Sequence, residues 1–186
     1  MRLLLDGVRA MSMLFNWIRL RGRPEHQRRV RQARRALRTL RSMQGVAAEA
    51  RFFSYCRKVE PLAFEELVLC SFEAAGAFIV RNRRYSGDGG IDGRAWVPGS
   101  GWCAIQVKRY GGHICRNHVA TFGATLTRSR FDQGLFVHCG RTGSTVYQHL
   151  TDRRIVLVSG QSLVALICRR QLPSASMCTH VLRLPR

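Results

Sequence analysis

SGDGGIDGRAWVPGSGWCAIQVKRY, residues Ser86 to Tyr110, reads as two extended segments around one tight turn. Ser86 to Gly90 is turn-rich, Ile91 to Val97 is a strand pattern, and Pro98 to Gly101 has hairpin chemistry. From Trp102 to Arg109 a further strand follows, and period-two alternation sets Trp102, Ala104, Gln106 and Lys108 on one face. Asp92 stands at the mouth of the first strand, with 13 residues between it and Gln106. If the two strands pair antiparallel, Asp92 comes beside Gln106 and Lys108, with the Val107 carbonyl between them.

The neighbouring sequence extends this hairpin into an α/β domain. Upstream, Pro61 suits a helix start, and Phe64, Leu67, Val68, Phe72 and Ala75 form an apolar helical face that ends at Gly76. Ala77 to Arg83 then alternates as a strand. Downstream, the spacing predicts a helix over Asn117 to Arg128, a buried strand over Gln133 to Cys139 and a helix over Ser144 to Asp152. A short strand over Ile155 to Ser159 and a closing helix over Gln161 to Arg169 complete the pattern. Strands alternating with helices imply a mixed central sheet flanked by helices.

Composition points to a polyanionic partner. The 186 residues carry 31 Lys or Arg against 11 acids, a formal charge of +20, while 46% apolar content suffices for a real core. Residues 1–58 hold 15 of the basic residues and 3 acids. There, Val8, Met11, Phe15 and Ile18 fall at helical spacing, and Val30, Ala33, Leu37 and Leu40 form a second stripe. Arg28, Arg29, Arg31, Arg34, Arg35, Arg38 and Arg41 surround that second stripe, either as contacts to phosphates or anionic lipid or as a solvated face. The apolar run from Ala10 to Ile18 is too short to cross about 30 Å of hydrocarbon, and membrane association is not expected. Seven cysteines without a CxxC pair argue against a disulfide framework and a zinc ribbon, which suits a reducing cytoplasm. His113, Cys115 and His118 lack the paired spacing of a structural zinc site. No GxxxxGK[ST] stretch occurs, so no nucleotide cofactor is expected.

Phosphodiester hydrolysis is the chemistry that the Asp92, Gln106 and Lys108 set suits. The scissile phosphate is anionic and gains charge on its equatorial oxygens, so a divalent cation must neutralise it. Asp92 would supply an ionised oxygen ligand to Mg²⁺ or Mn²⁺, and the Gln106 amide and Val107 carbonyl would supply neutral ones. Lys108 would orient or deprotonate the attacking water, a task closed to arginine, whose proton is essentially never released. It is one of only two lysines in the chain, the other being Lys58, so arginine was not simply the default here. The structural alternative for Asp92 is a turn-capping carboxylate after glycines.

Four segments give the chain a family resemblance: Phe64-Glu65, Gly87-Asp88-Gly89-Gly90-Ile91-Asp92-Gly93, Gln106-Val107-Lys108-Arg109-Tyr110, and Gly134-Leu135-Phe136-Val137 followed by Gly140-Arg141-Thr142. In order and spacing they resemble the Mrr-like restriction endonucleases of the PD-(D/E)XK nuclease superfamily. The resemblance implies a restriction-endonuclease-like fold over residues 59–170, after a basic helical extension at 1–58 and before a tail at 171–186. It implies that Asp92 is the metal-binding acid, that Gln106 holds the place of the superfamily's second acid, and that Lys108 is the catalytic lysine. It also implies that Glu65, or Glu66 if the register shifts by one, is a helix-borne acid completing the metal site. Asp88 is expected to shape its loop. The extension matches no reader of modified bases, and serves either sequence-independent phosphate contacts or attachment to a partner or membrane surface. The expected activity is metal-dependent DNA cleavage in restriction of foreign or modified DNA, with a homodimer as the expected means of cutting both strands. A catalytically inactive DNA-binding protein and a structure-specific nuclease or junction resolvase are the alternatives.

Overall fold

The computed structural model describes residues 2–20, 23–82, 90–143 and 152–173. The elements run α1 (Arg2–Leu20), α2 (Pro24–Arg41), α3 (Ala48–Lys58), α4 (Pro61–Ala74), β1 (Phe78–Arg81), β2 (Gly93–Val97) and β3 (Gly101–Lys108). They continue as α5 (Arg116–Arg128), β4 (Gln133–His138), β5 (Ile155–Val158) and α6 (Gly160–Arg169). The sheet order is β1-β2-β3-β4-β5, antiparallel through β3 and parallel from β3 to β5. The parallel β3–β4 step needs a crossover, which α5 supplies. The expected helix over Ser144 to Asp152, apart from its last residue, lies outside the described residues.

α4 is the central helix. Pro61 opens it, the Glu60 carboxylate caps it by accepting from the Ala63 N–H at 2.8 Å, and Gly76 follows its end with φ of 99°. Phe64, Leu67, Val68 and Phe72 are fully buried in a core shared with Ile79, Ala95, Cys103, Ile105 and Val107 of the sheet. Leu163 and Leu166 of α6 enter the same core, as do Ala33, Leu37 and Leu40 of α2 and Phe52 and Cys56 of α3. The basic extension therefore packs into the same body as the sheet. Across the sheet a smaller core gathers Ala104, Phe136 and Leu157 against Val119, Phe122 and Leu126 of α5. Gly134 permits that close approach, since a Cβ there would stand 2.7 Å from Phe122 Cε1.

In α1 the side that packs is not the apolar one. Ser12 and Asn16 are buried, whereas Met11, Phe15 and Ile18 are exposed. Strand β1 is the edge of the sheet, and the two polar side chains complete its ladder in place of a neighbouring strand. Ile79 N–H donates to Ser12 Oγ at 3.0 Å, Asn16 Nδ2 donates to the Ile79 carbonyl at 2.6 Å, and Arg81 N–H donates to Asn16 Oδ1 at 3.1 Å. Beneath this seam Arg81 is buried and bound to Glu73 at 2.7 Å and to Glu66 at 2.9 Å, with His26 of α2 on Glu66 at 3.1 Å. A buried charge network of this kind is costly to break one partner at a time.

Replacing Asn16 by Ala strips the Arg81 N–H of its partner and leaves the Ile79 carbonyl only the longer 3.3 Å bond from Ser12 Oγ, and should destabilise the fold by about 1–3 kcal/mol. Urea unfolding would show it as a lower midpoint at unchanged m-value. A midpoint equal to wild type would mean that α1 does not seal the β1 edge.

Candidate active site

The β2–β3 register creates the site. Gly93 opposes Ile105, so Asp92, the residue before β2, falls across from Gln106. Its N–H donates to the Ile105 carbonyl at 2.8 Å, and its Oδ2 accepts the Val107 N–H at 2.6 Å. The aspartate thus extends the ladder one step beyond the strand with its own side chain. A strand residue presents its N–H and C=O to the same neighbour, so the Val107 carbonyl faces the Asp92 side as well.

Alternation along β3 sends Cys103, Ile105 and Val107 into the main core and turns Ala104, Gln106 and Lys108 to the opposite face. Gln106 is 5% exposed, and its Oε1 is buried without a hydrogen-bond partner. Such an oxygen is uncommon in a folded protein and calls for an ion or a water. Gly90, at φ of 86°, lies against the same amide, and a Cβ there would overlap Gln106 Nε2. Gly90 therefore serves the site twice, by its left-handed backbone and by its missing side chain. Lys108, half-buried, closes β3.

Glu65 reaches this group from α4. Burial pushes its carboxyl up to about 8, the negative charge of Asp92 adds to the rise, and Lys108 opposes it. Glu65 is thus close enough to feel both strand residues. Its neighbour Glu66 points elsewhere. Burial acts on Glu66 too, but the His26 hydrogen bond and the Arg81 charge outweigh it and hold the carboxyl below its ordinary range. Of the two helix acids considered from sequence, Glu65 is the one that interacts with the charges of Asp92 and Lys108. Asp88 and Gly87 lie outside the described residues.

One residue of this neighbourhood escaped the sequence reading. His138 pairs in register with Lys108 across the parallel β3–β4 ladder and is fully buried. Burial lowers its pKa to about 4, so the ring is neutral beside the lysine. Tyr110 and Phe136 flank it with ring centroids at 5.8 and 6.2 Å, and its Nε2 lies 3.2 Å from Thr142 Oγ1. The alternation in Gly134 to His138 was the available signal, but sequence does not reveal which β3 residue a parallel strand faces. Among the described residues no three His, Cys, Asp or Glu side chains gather as a metal cluster. The His113, Cys115 and His118 group in particular does not form one, and His118 instead bonds the Tyr110 hydroxyl at 2.8 Å.

A mixed five-stranded sheet with helices on both faces, and a carboxylate–amide–lysine group at the open end of its hairpin, defines a restriction-endonuclease-like fold. A family model described as restriction endonuclease, Mrr_cat, matches residues 56–167, more than half of the chain. The chain belongs to that family, and is a restriction-endonuclease-type nuclease whose substrate is DNA. No curated protein and no solved structure matches it.

The raised Glu65 pKa has a consequence for stability. Between its ordinary 4.5 and about 8, the folded protein holds a proton that the unfolded chain has released, so this group's effect on stability falls as pH rises through that window. Replacing Glu65 by Gln removes the loss. In EDTA, Glu65→Gln should gain stability over wild type progressively from about pH 4.5 to about pH 8, read as urea midpoints. A difference that stays constant with pH would show that the Glu65 carboxyl is not raised by burial and the Asp92 charge.

Proposed function

We propose that this protein is a divalent-metal-dependent endodeoxyribonuclease acting in restriction of foreign or modified DNA. The observation that carries the reading is the orphaned Gln106 Oε1, buried beside Asp92 and within the field of Glu65. Two carboxylates, an amide oxygen and the Val107 carbonyl make an all-oxygen donor set of the kind that Mg²⁺ or Mn²⁺ takes, and the cation would also relieve the repulsion that lifts Glu65. When bound, the cation would supply Lewis acidity toward a phosphate oxygen.

The chain's own residues perform the rest. Hydrolysis forms a bond from water oxygen to phosphorus and breaks the phosphorus bond to the leaving deoxyribose oxygen, which gains a proton as the attacking water gives one up. Lys108 brings its ammonium to the phosphate, where it holds the incoming water and balances the added negative charge. Neutral His138 walls the lysine without adding a second positive charge. Asp92 fixes the Val107 backbone through its 2.6 Å hydrogen bond, so that Gln106 and Lys108 keep one register. The surplus of arginine draws DNA through sequence-independent phosphate contacts that weaken steeply with salt.

Nicking of supercoiled plasmid tests the proposal. Wild type should nick with Mg²⁺ or Mn²⁺ and stop in EDTA, while Asp92→Ala and Lys108→Ala should lose about 10²–10⁴-fold in rate. DNA binding by both variants should stay near wild type. Undiminished turnover in either purified variant would remove the site assignment, and salt-sensitive binding without any cleavage by wild type would favour an inactive DNA-binding protein.

A further inference from the structure

From Met11 to Ile18 the outer surface of α1 is an apolar patch. Ser12, Asn16 and Leu20 face inward, while Met11, Leu14, Phe15, Trp17 and Ile18 are 38–62% exposed. A contiguous apolar patch of this kind ordinarily marks an interaction surface. The bare surface continues onto the sheet. Phe15 meets Phe78 of β1 at 5.6 Å, Phe78 meets Trp102 of β3 at 6.4 Å, and Trp96 of β2 stands in register between Phe78 and Trp102. α5 packs over β4 and leaves this strip open, with Trp96 39% and Trp102 49% exposed. All three tryptophans of the chain thus lie on the surface, on or beside one apolar tract.

Cations border the tract. Arg19 lies over the Phe15 ring at 5.9 Å, and Arg94 is exposed on the same sheet face as Trp96. Between α1 and α2 runs a groove of ≈ 660 Å³ with Met13, Leu14, Trp17, Leu20 and Val30 as apolar lining and Arg31 and Arg34 as cationic lining. We infer that α1 and the Phe78–Trp96–Trp102 strip beside it form a face that lies on an anionic lipid bilayer.

Charge decides between occupants. A second copy of a chain carrying +20 would set arginine against arginine around the apolar contact, whereas lipid phosphates neutralise the arginines and acyl chains cover Leu14 and Ile18. DNA phosphates satisfy the arginines but leave Met11, Leu14 and Ile18 in water. No described helix is long and apolar enough to cross a membrane, so the face rests at the interface, where tryptophan is favoured. Lys108 lies six residues along β3 from Trp102, roughly 20 Å away, so the candidate active site stays clear of the lipid.

Vesicle sedimentation with the full chain tests it without DNA, and so stands apart from the nuclease reading. The protein should bind phosphatidylglycerol-containing vesicles and not phosphatidylcholine alone. Its tryptophan emission should shift to the blue and be quenched by brominated acyl chains. Ile18→Ser and, on a separate element, Trp102→Ser should each keep wild-type circular dichroism yet weaken partitioning about tenfold at high salt. Binding that salt abolishes completely, with no tryptophan shift, would be charge attraction alone and would overturn the inference. So would a dimer in sedimentation equilibrium that Ile18→Ser converts to monomer.

Discussion

The Val107 N–H to Asp92 Oδ2 hydrogen bond is the constraint on which the site depends. It makes the position of a candidate catalytic carboxylate a function of strand register. A slip of one residue would drive Gln106 and Lys108 into the main core and expose Ile105 and Val107. The buried contacts of Cys103, Ile105 and Val107 beneath α4 prevent that slip. The same packing fixes α4. Glu66 is locked to Arg81 and His26, and successive helix residues diverge by about 100°, so Glu65 must leave the helix in another direction. Core packing, a buried ion network and the site are one mechanical unit.

The chain has an excess of cations, yet it buries acids in two places with opposite outcomes. Glu66 and Glu73 surround Arg81, and Glu66 is held below its ordinary range. Glu65 is driven up to about 8, first by burial and then by the charge of Asp92, with Lys108 opposing. The first set is electrostatically closed within the protein. The second sets two acids beside an amide oxygen that is buried without a hydrogen-bond partner. That orphaned oxygen is the physical case for a cation from solution.

Most of the sheet was legible because its signals are local. Val97-Pro98-Gly99 and period-two alternation gave the β2–β3 hairpin within two residues at each end, and Pro61 and Gly76 bracketed α4. The Asp92, Gln106 and Lys108 set followed from alternation along β3 together with antiparallel pairing across the Pro98 turn. Three things were not local. α3 was not anticipated, since in Ala48–Lys58 only Phe52 and Cys56 are buried, too sparse a stripe to read. His138 finds Lys108 through a parallel register that neither strand encodes by itself. The orientation of α1 inverted the usual rule because Ser12 and Asn16 answer the hydrogen-bonding demand of the β1 edge, which outweighs burial of Met11 and Ile18.

Mn²⁺ binding at a pH above 8, followed by paramagnetic resonance in wild type and Gln106→Leu, tests the central claim most directly. The account predicts a wild-type site that Gln106→Leu weakens markedly, because the leucine removes the one neutral side-chain oxygen while leaving both carboxylates in place. Equal Mn²⁺ affinity in the two proteins would contradict it, and would return the orphaned amide to a structural role under Gly90.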